Sequence, residues 1–166
     1  MNQTQDKHLA NEPITKNSPV CESLAELSRQ SELVKMGDEM LDETHTIRAD
    51  TQWLLEYADK DASFEEFIPD FSNMLKAVEQ LSSLIAQLFS KKNAHGELEL
   101  ETLTSAIRHD LRTPVNAIIG YGDMLVEDIE EEFEEETHPE ARAKLQKTLA
   151  SGRRLLTLIG ELYAKR

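Results

Sequence analysis

The sequence predicts an all-α protein, a four-helix bundle built from two helical hairpins. Three observations predict it. Apolar residues return at steps of three and four through four long stretches, the period of one buried helix face. No stretch alternates apolar and polar residues as a half-buried strand would. The two halves of the chain can also be laid on one another as an internal repeat.

Residues 1–20 are polar, carry Pro13 and Pro19, and hold few apolar groups. Burial cannot offset the entropy of ordering them, so a disordered arm is expected. From about Ser23, the residues Leu24, Leu27, Leu33, Met36, Met40, Ile47, Thr51, Leu54 and Tyr57 recur at helix-compatible spacing. Asp59-Lys60-Asp61 breaks this stretch. Ser63 with Glu66 then spells a capping box, in which side chains satisfy the open N–H groups of a second helix. Phe67, Phe71, Leu75, Val78, Leu81, Leu84, Ile85 and Leu88 supply its apolar side. Asn93-Ala94-His95-Gly96 is its expected stop, with glycine suited to the left-handed turn there.

A third helix is expected from about Glu97 to Ile129. Its seam is Ile107, Leu111, Val115, Ile118, Gly122, Leu125 and Ile129. Pro114 lies within it; lacking an N–H, it removes one backbone hydrogen bond and is expected to bend the helix. Thr137-His138-Pro139-Glu140 spells another capping box with proline in the first turn. Leu145, Leu149, Gly152, Leu156, Ile159 and Tyr163 carry the seam of the fourth helix. Helices this long gain most of their stability from packing on one another, which a bundle provides.

In the repeat, Leu84-Ile85-Ala86-Gln87-Leu88-Phe89 falls on Leu158-Ile159-Gly160-Glu161-Leu162-Tyr163 at a shift of 74 residues. Leu54-Leu55-Glu56-Tyr57 falls on Ile118-Ile119-Gly120-Tyr121 at a shift of 64, which also lays His45 on His109. The expected organisation is residues 1–20 as the arm, 21–96 as a degenerate hairpin or a pair of signalling helices, and 97–166 as an intact hairpin. A single chain would then close the bundle as a pseudo-dimer; otherwise two chains would close it as a homodimer.

Composition excludes several functions. Lys and Arg number 18 against 32 Asp and Glu, a net charge of −14. Nucleic acid and anionic membrane surfaces are disfavoured partners, because both need a basic face. Cys21 is the only cysteine, so neither an internal disulfide nor a cysteine zinc cluster is possible. There is no apolar run of spanning length and no signal-peptide pattern, so a cytoplasmic location is expected. Glu127 to Glu136 holds eight acids in ten residues; like charges in such a run repel, and it reads as a solvated hairpin tip. Asp59-Lys60-Asp61 opens like a calcium loop, but Phe64 stands where glycine belongs and no Glu closes it. His8, His95 and His138 lack paired ligands at metal spacing, and no metal site is expected.

The run His109-Asp110-Leu111-Arg112-Thr113-Pro114, followed by Asn116, carries the functional signal. It resembles the H-box of two-component histidine kinases, within their dimerisation and phosphoacceptor (HisKA-type) domain. The resemblance implies that His109 carries a phosphoryl group. An imidazole with a reference pKa of about 6.5 is mostly neutral at physiological pH and nucleophilic. One ring nitrogen attacks phosphorus while the other holds a proton. The resemblance gives Asp110 the task of accepting that N–H, although neighbouring helix positions do not normally face each other. Thr113 lies one turn beyond His109 on the same face. The family pattern makes it a candidate for orienting water against a partner's aspartyl phosphate, and the alternative is a hydroxyl bonded back to a helix carbonyl. Arg112 and Asn116 are candidate contacts for the phosphoryl group or a receiver domain. A docked receiver is expected over Ile119, Gly122 and Asp123, with close helix packing the favoured role of Gly122.

The resemblance also implies partners. These are a response-regulator receiver domain that brings its own Mg²⁺ and, for charging from ATP, a separate histidine kinase. The chain needs no cofactor of its own. Gly120-Tyr121-Gly122 is not a nucleotide loop, and the 57 residues after His109 are used up by one hairpin. The expected function is phosphoryl exchange between His109 and a receiver aspartate, with receiver phosphatase activity as a possible addition. Two rivals stay open: the front part of a larger histidine kinase or other signalling protein, and a non-catalytic module that binds receivers.

Overall fold

The computed structural model describes residues 19–90 and 105–164. They form α1 (Pro19–Lys60), a 3-10 turn (Ala62–Phe67), α2 (Ile68–Ser90), α3 (Ser105–Glu132) and α4 (Pro139–Ala164). Each helix packs against the one before it, and α4 closes the ring on α1. The fold is the all-α four-helix bundle that the sequence predicts. Most of the expected arm, the expected stop at Asn93–Gly96 and the first turns of the expected third helix lie outside the described residues. α1 starts at Pro19, earlier than expected, since proline already has the φ of a first helical turn.

All four helices contribute to one core. Leu111, Val115, Ile118, Leu125 and Ile129 of α3 and Leu145, Leu149, Leu155, Leu158 and Ile159 of α4 are buried. They meet Met40, Ile47 and Leu54 of α1 and Phe71, Met74, Val78, Leu81 and Ile85 of α2. Each such burial contributes about 1.5–3 kcal/mol of gross stabilisation. Thr44 and Thr51 are buried by donating their hydroxyls to the carbonyls of Met40 and Ile47, both at 2.7 Å. Asp50 fastens α1 to α4 through Lys144 at 3.3 Å and Lys147 at 4.0 Å. Leu24 and Leu27, which open the expected helical pattern, are 61 % and 60 % exposed.

The two hairpin tips lock together. Asp61, and not Ser63, caps the first tip: the backbone N–H and the hydroxyl of Ser63 donate to its carboxylate at 3.0 and 2.5 Å. At the second tip the Thr137 hydroxyl donates to the Glu134 carbonyl at 2.7 Å instead of capping α4. Arg142 reaches back from α4 and donates to the carbonyls of Thr137 (2.8 Å), Glu134 (3.1 Å), Phe133 (3.2 Å) and Ile129 (3.4 Å). A cation there satisfies the open carbonyls at the C-terminus of α3 and opposes its dipole. His138, at φ 53°, turns the chain into α4 and places Nδ1 2.6 Å from the Tyr57 hydroxyl of α1. Phe64 and Phe133, one from each tip, stack with ring centroids 5.3 Å apart.

The helix ends correct the register of the repeat. α1 ends at Lys60 and α3 at Glu132, so a shift of 64 would lay the end of α1 on Met124, in the middle of α3. A shift of 71 carries buried Met40, Thr44, Ile47, Thr51, Leu54 and Ala58 onto Leu111, Val115, Ile118, Gly122, Leu125 and Ile129, all buried. The expected shift of 74 carries buried Phe71, Met74, Ala77, Val78, Leu81 and Ile85 onto Leu145, Thr148, Ser151, Gly152, Leu155 and Ile159, also all buried. The error in the first shift is one heptad, a slip that a seven-residue apolar pattern cannot detect. His45 therefore faces Asn116 in the repeat, and the position equivalent to His109 is Asp38.

Two glycines of α3 differ in their surroundings. A Cβ on Gly122 would lie 2.6 Å from Leu149 Cδ2, while a Cβ on Gly120 would meet nothing within 4 Å. Gly120→Ala should raise stability by about 0.5–1 kcal/mol through helix propensity. Gly122→Val should lower it by about 1–3 kcal/mol by overpacking. Urea denaturation of both variants measures these changes. A hydrogen bond with Glu66, partial desolvation, and repulsion from Glu66 and Asp128 hold the Glu132 carboxyl above its ordinary pKa. A raised folded pKa favours the fold below the unfolded value, and this contribution is lost as pH rises through the folded one. Glu132→Gln should therefore raise the melting temperature at neutral pH and leave it unchanged near about pH 3, as read by thermal melts at both pH values.

Candidate functional site

The heptad seam fixes which way α3 faces. With Leu111, Val115 and Ile118 turned into the core, His109, Arg112, Thr113, Asn116, Gly120 and Asp123 all fall on the exposed side. His109 and Thr113 are one turn apart on that face. The Thr113 hydroxyl donates to the His109 carbonyl at 2.9 Å. That bond is the structural alternative weighed for this threonine, and it leaves the oxygen lone pairs free to accept. Pro114 is buried, and α3 continues through it as one helix. Without a proline N–H, the Asp110 carbonyl has no i+4 donor.

Asp110 is also exposed, but it stands 100° around the helix from His109. It borders a groove between α3 and α2 lined by Ile107, Leu111, Leu84, Gln87 and Leu88. The two side chains make no hydrogen bond with each other here. On the other side of His109, the Arg108 guanidinium lies 5.1 Å from the ring centroid of Tyr163 on α4. Arg108 thus turns toward α4, while Arg112, three residues on from His109, is exposed on the same side of α3. The groove measures about 150 Å³ and the hollow near Arg142 about 200 Å³. Both fall below the roughly 300 Å³ at which small-molecule sites begin. Among the described residues no group of His, Cys, Asp or Glu is placed to hold a metal ion. The acidic run at the second tip is included in that statement.

The surface expected to meet a receiver divides. Asp123 is exposed and ion-paired with Arg153 of α4 at 3.2 Å. Ile119 is half-buried against Gly152, where a Cβ would lie 3.0 Å from its Cγ1. Gly122 is buried beneath Leu149 and cannot touch a partner, so its inclusion among the receiver contacts is corrected to helix packing. Arg108, Tyr163 and Arg153 were not expected at this face. Arg108 lies just before the motif and carries no family signal, and the two α4 residues are placed only by the α3–α4 register.

Residues 99–166 match the family model of the His Kinase A (phospho-acceptor) domain. The hairpin of α3 and α4 accordingly has the sequence of a histidine-kinase-type phosphoacceptor domain, a match that supports a histidine phosphoacceptor role in two-component signalling for these residues. Domains of this family work with response regulators and kinase partners. No curated protein and no solved structure matches the chain. No helix among the described residues is long and apolar enough to cross a membrane.

Proposed function

We propose that His109 exchanges a phosphoryl group with the aspartate of a response-regulator receiver domain. The observation that carries this reading is an exposed His109 on the solvated face of α3, one turn from exposed Arg112 and Thr113 and with no core duty of its own. One imidazole nitrogen attacks the phosphorus of the receiver's aspartyl phosphate. The N–P bond forms as the acyl P–O bond breaks, and the receiver's carboxylate leaves with the electron pair. The other ring nitrogen keeps its proton, and the ring takes up positive charge. Asp110 would support that charge after a side-chain rotation toward the ring. Arg112 and Asn116 would meet the phosphoryl oxygens or the receiver, and Mg²⁺ held by the receiver would offset the charge passing between the two proteins. Ile119 and Asp123 would border the docking surface. The exchange suits a cytoplasmic location, and a separate histidine kinase would charge the receiver or His109 from ATP.

A second reading rests on Thr113. With its hydrogen given to the His109 carbonyl, its oxygen can accept from a water whose own lone pair then points outward. Such a water could hydrolyse the receiver's aspartyl phosphate. The test incubates the chain with a panel of receivers carrying labelled phosphate. Acid-labile label should appear on the chain and be absent from His109→Ala. Loss of receiver phosphate without label on the chain, abolished by Thr113→Ala, would move the function to phosphatase. Binding of receivers with no loss of phosphate from any of them would leave a non-catalytic interaction module.

A further inference from the structure

The first hairpin matches the second in more than helix count. From Met40 to Ala58 and from Phe71 to Ile85 its buried positions, Asp50 apart, fall on buried positions of the second hairpin at shifts of 71 and 74 residues, and the C-terminal ends of α1 and α2 fall within one residue of those of α3 and α4. A two-helix hairpin whose seam is this apolar cannot leave that seam in water. The second hairpin is covered by α1 and α2 of its own chain. On α3 and α4 the only large apolar side chain that stays exposed among the described residues is Met124, at 40 %. Little apolar surface therefore remains there for a second copy.

The outer faces differ where the seams agree. The 71-residue shift places Asp38, Glu39 and Asp42 where α3 has the exposed His109, Asp110 and Thr113, and Glu43 where it has the buried Pro114. Gly37 and Leu41 stand where it has Arg108 and Arg112. The copy thus has no nucleophile and no arginine at those positions. Between residues 34 and 45 it carries Lys35 against four carboxylates. Glu39 is held by Arg154 of α4 at 3.0 Å, while Asp38 and Asp42 are exposed. A receiver's phosphorylation site is itself built from carboxylates and a phosphoryl group, so it meets cations at the second hairpin and like charges at the first. Like charges brought together at an interface oppose docking.

We infer that residues 19–90 are a divergent copy of the phosphoacceptor hairpin, which closes the bundle in place of a second chain and presents an acidic face that turns a phosphorylated receiver away. One chain then takes up one receiver and one phosphoryl group. The stoichiometry rests on the proposed function, while the closure does not.

Two measurements test it. Light scattering should give the mass of one chain, 18.9 kDa; twice that mass would overturn closure within the chain. Calorimetric titration with a receiver held in its phosphorylated form by beryllofluoride should give one site per chain. Saturation of two sites per chain would overturn the exclusion at the acidic face. Absence of binding to any receiver in the panel, with a one-chain mass, would defeat the proposed function and still support the copy. As a further check, Asp38→Asn with Asp42→Asn should leave the label on His109 unchanged, and loss of that label would place the acidic face in the receiver site.

Discussion

The structure depends on one constraint: the apolar seam of α3 and α4 has to be covered. Val115, Ile118, Leu125 and Ile129 lie on one side of a helix whose other side is polar. A hairpin bearing that stripe is stable only against another apolar surface. α1 and α2 supply that surface from the same chain, and the two hairpins share a single core. The Asp50–Lys144 pair and the Tyr57–His138 hydrogen bond join the hairpins at two further levels. The exposed face carrying His109 is a consequence of this arrangement. With Leu111 and the rest of the seam turned inward, the polar residues of the motif point outward.

Chemistry and packing are divided between the two sides of α3. The polar members of the motif occupy the solvated side, and Leu111 and Pro114 are turned inward. Gly122 and Gly152 lie on the packed side and let α3 and α4 approach closely, with Leu149 and Ile119 filling the space a Cβ would need. Electrostatics sets the two halves apart. Arg112 is exposed on the face of His109, while the equivalent surface of the first hairpin holds Asp38, Glu39 and Asp42. The two hairpins share a packing plan and differ in what their outer faces can recognise.

Much of this could be read from the chain. The seams of α3 and α4 follow from steps of three and four, and the core positions Leu111, Val115, Leu145 and Ile159 were identified correctly. The motif stood out because its residues are dense and ordered. Three features could not be read. The first is the register of α1 against α3: a seven-residue pattern looks the same after a slip of seven, and only the helix ends at Lys60 and Glu132 decide it. The second is capping, where Asp61 displaced Ser63 and Arg142 reached carbonyls up to 13 residues away in sequence. The third is the set of contacts between the outer sides of α3 and α4, because Arg108 on Tyr163 and Asp123 on Arg153 depend on how far α4 slides along α3.

The central claim is that one chain closes its own bundle and so displays one phosphoacceptor face. The concentration dependence of thermal unfolding tests it most directly. A bundle completed by a second chain gains stability from mass action, and its melting temperature rises with protein concentration. A bundle closed within one chain keeps a constant melting temperature over about a hundredfold range of concentration. A steady rise across that range would contradict it, because the seam of α3 and α4 would then be covered by another molecule.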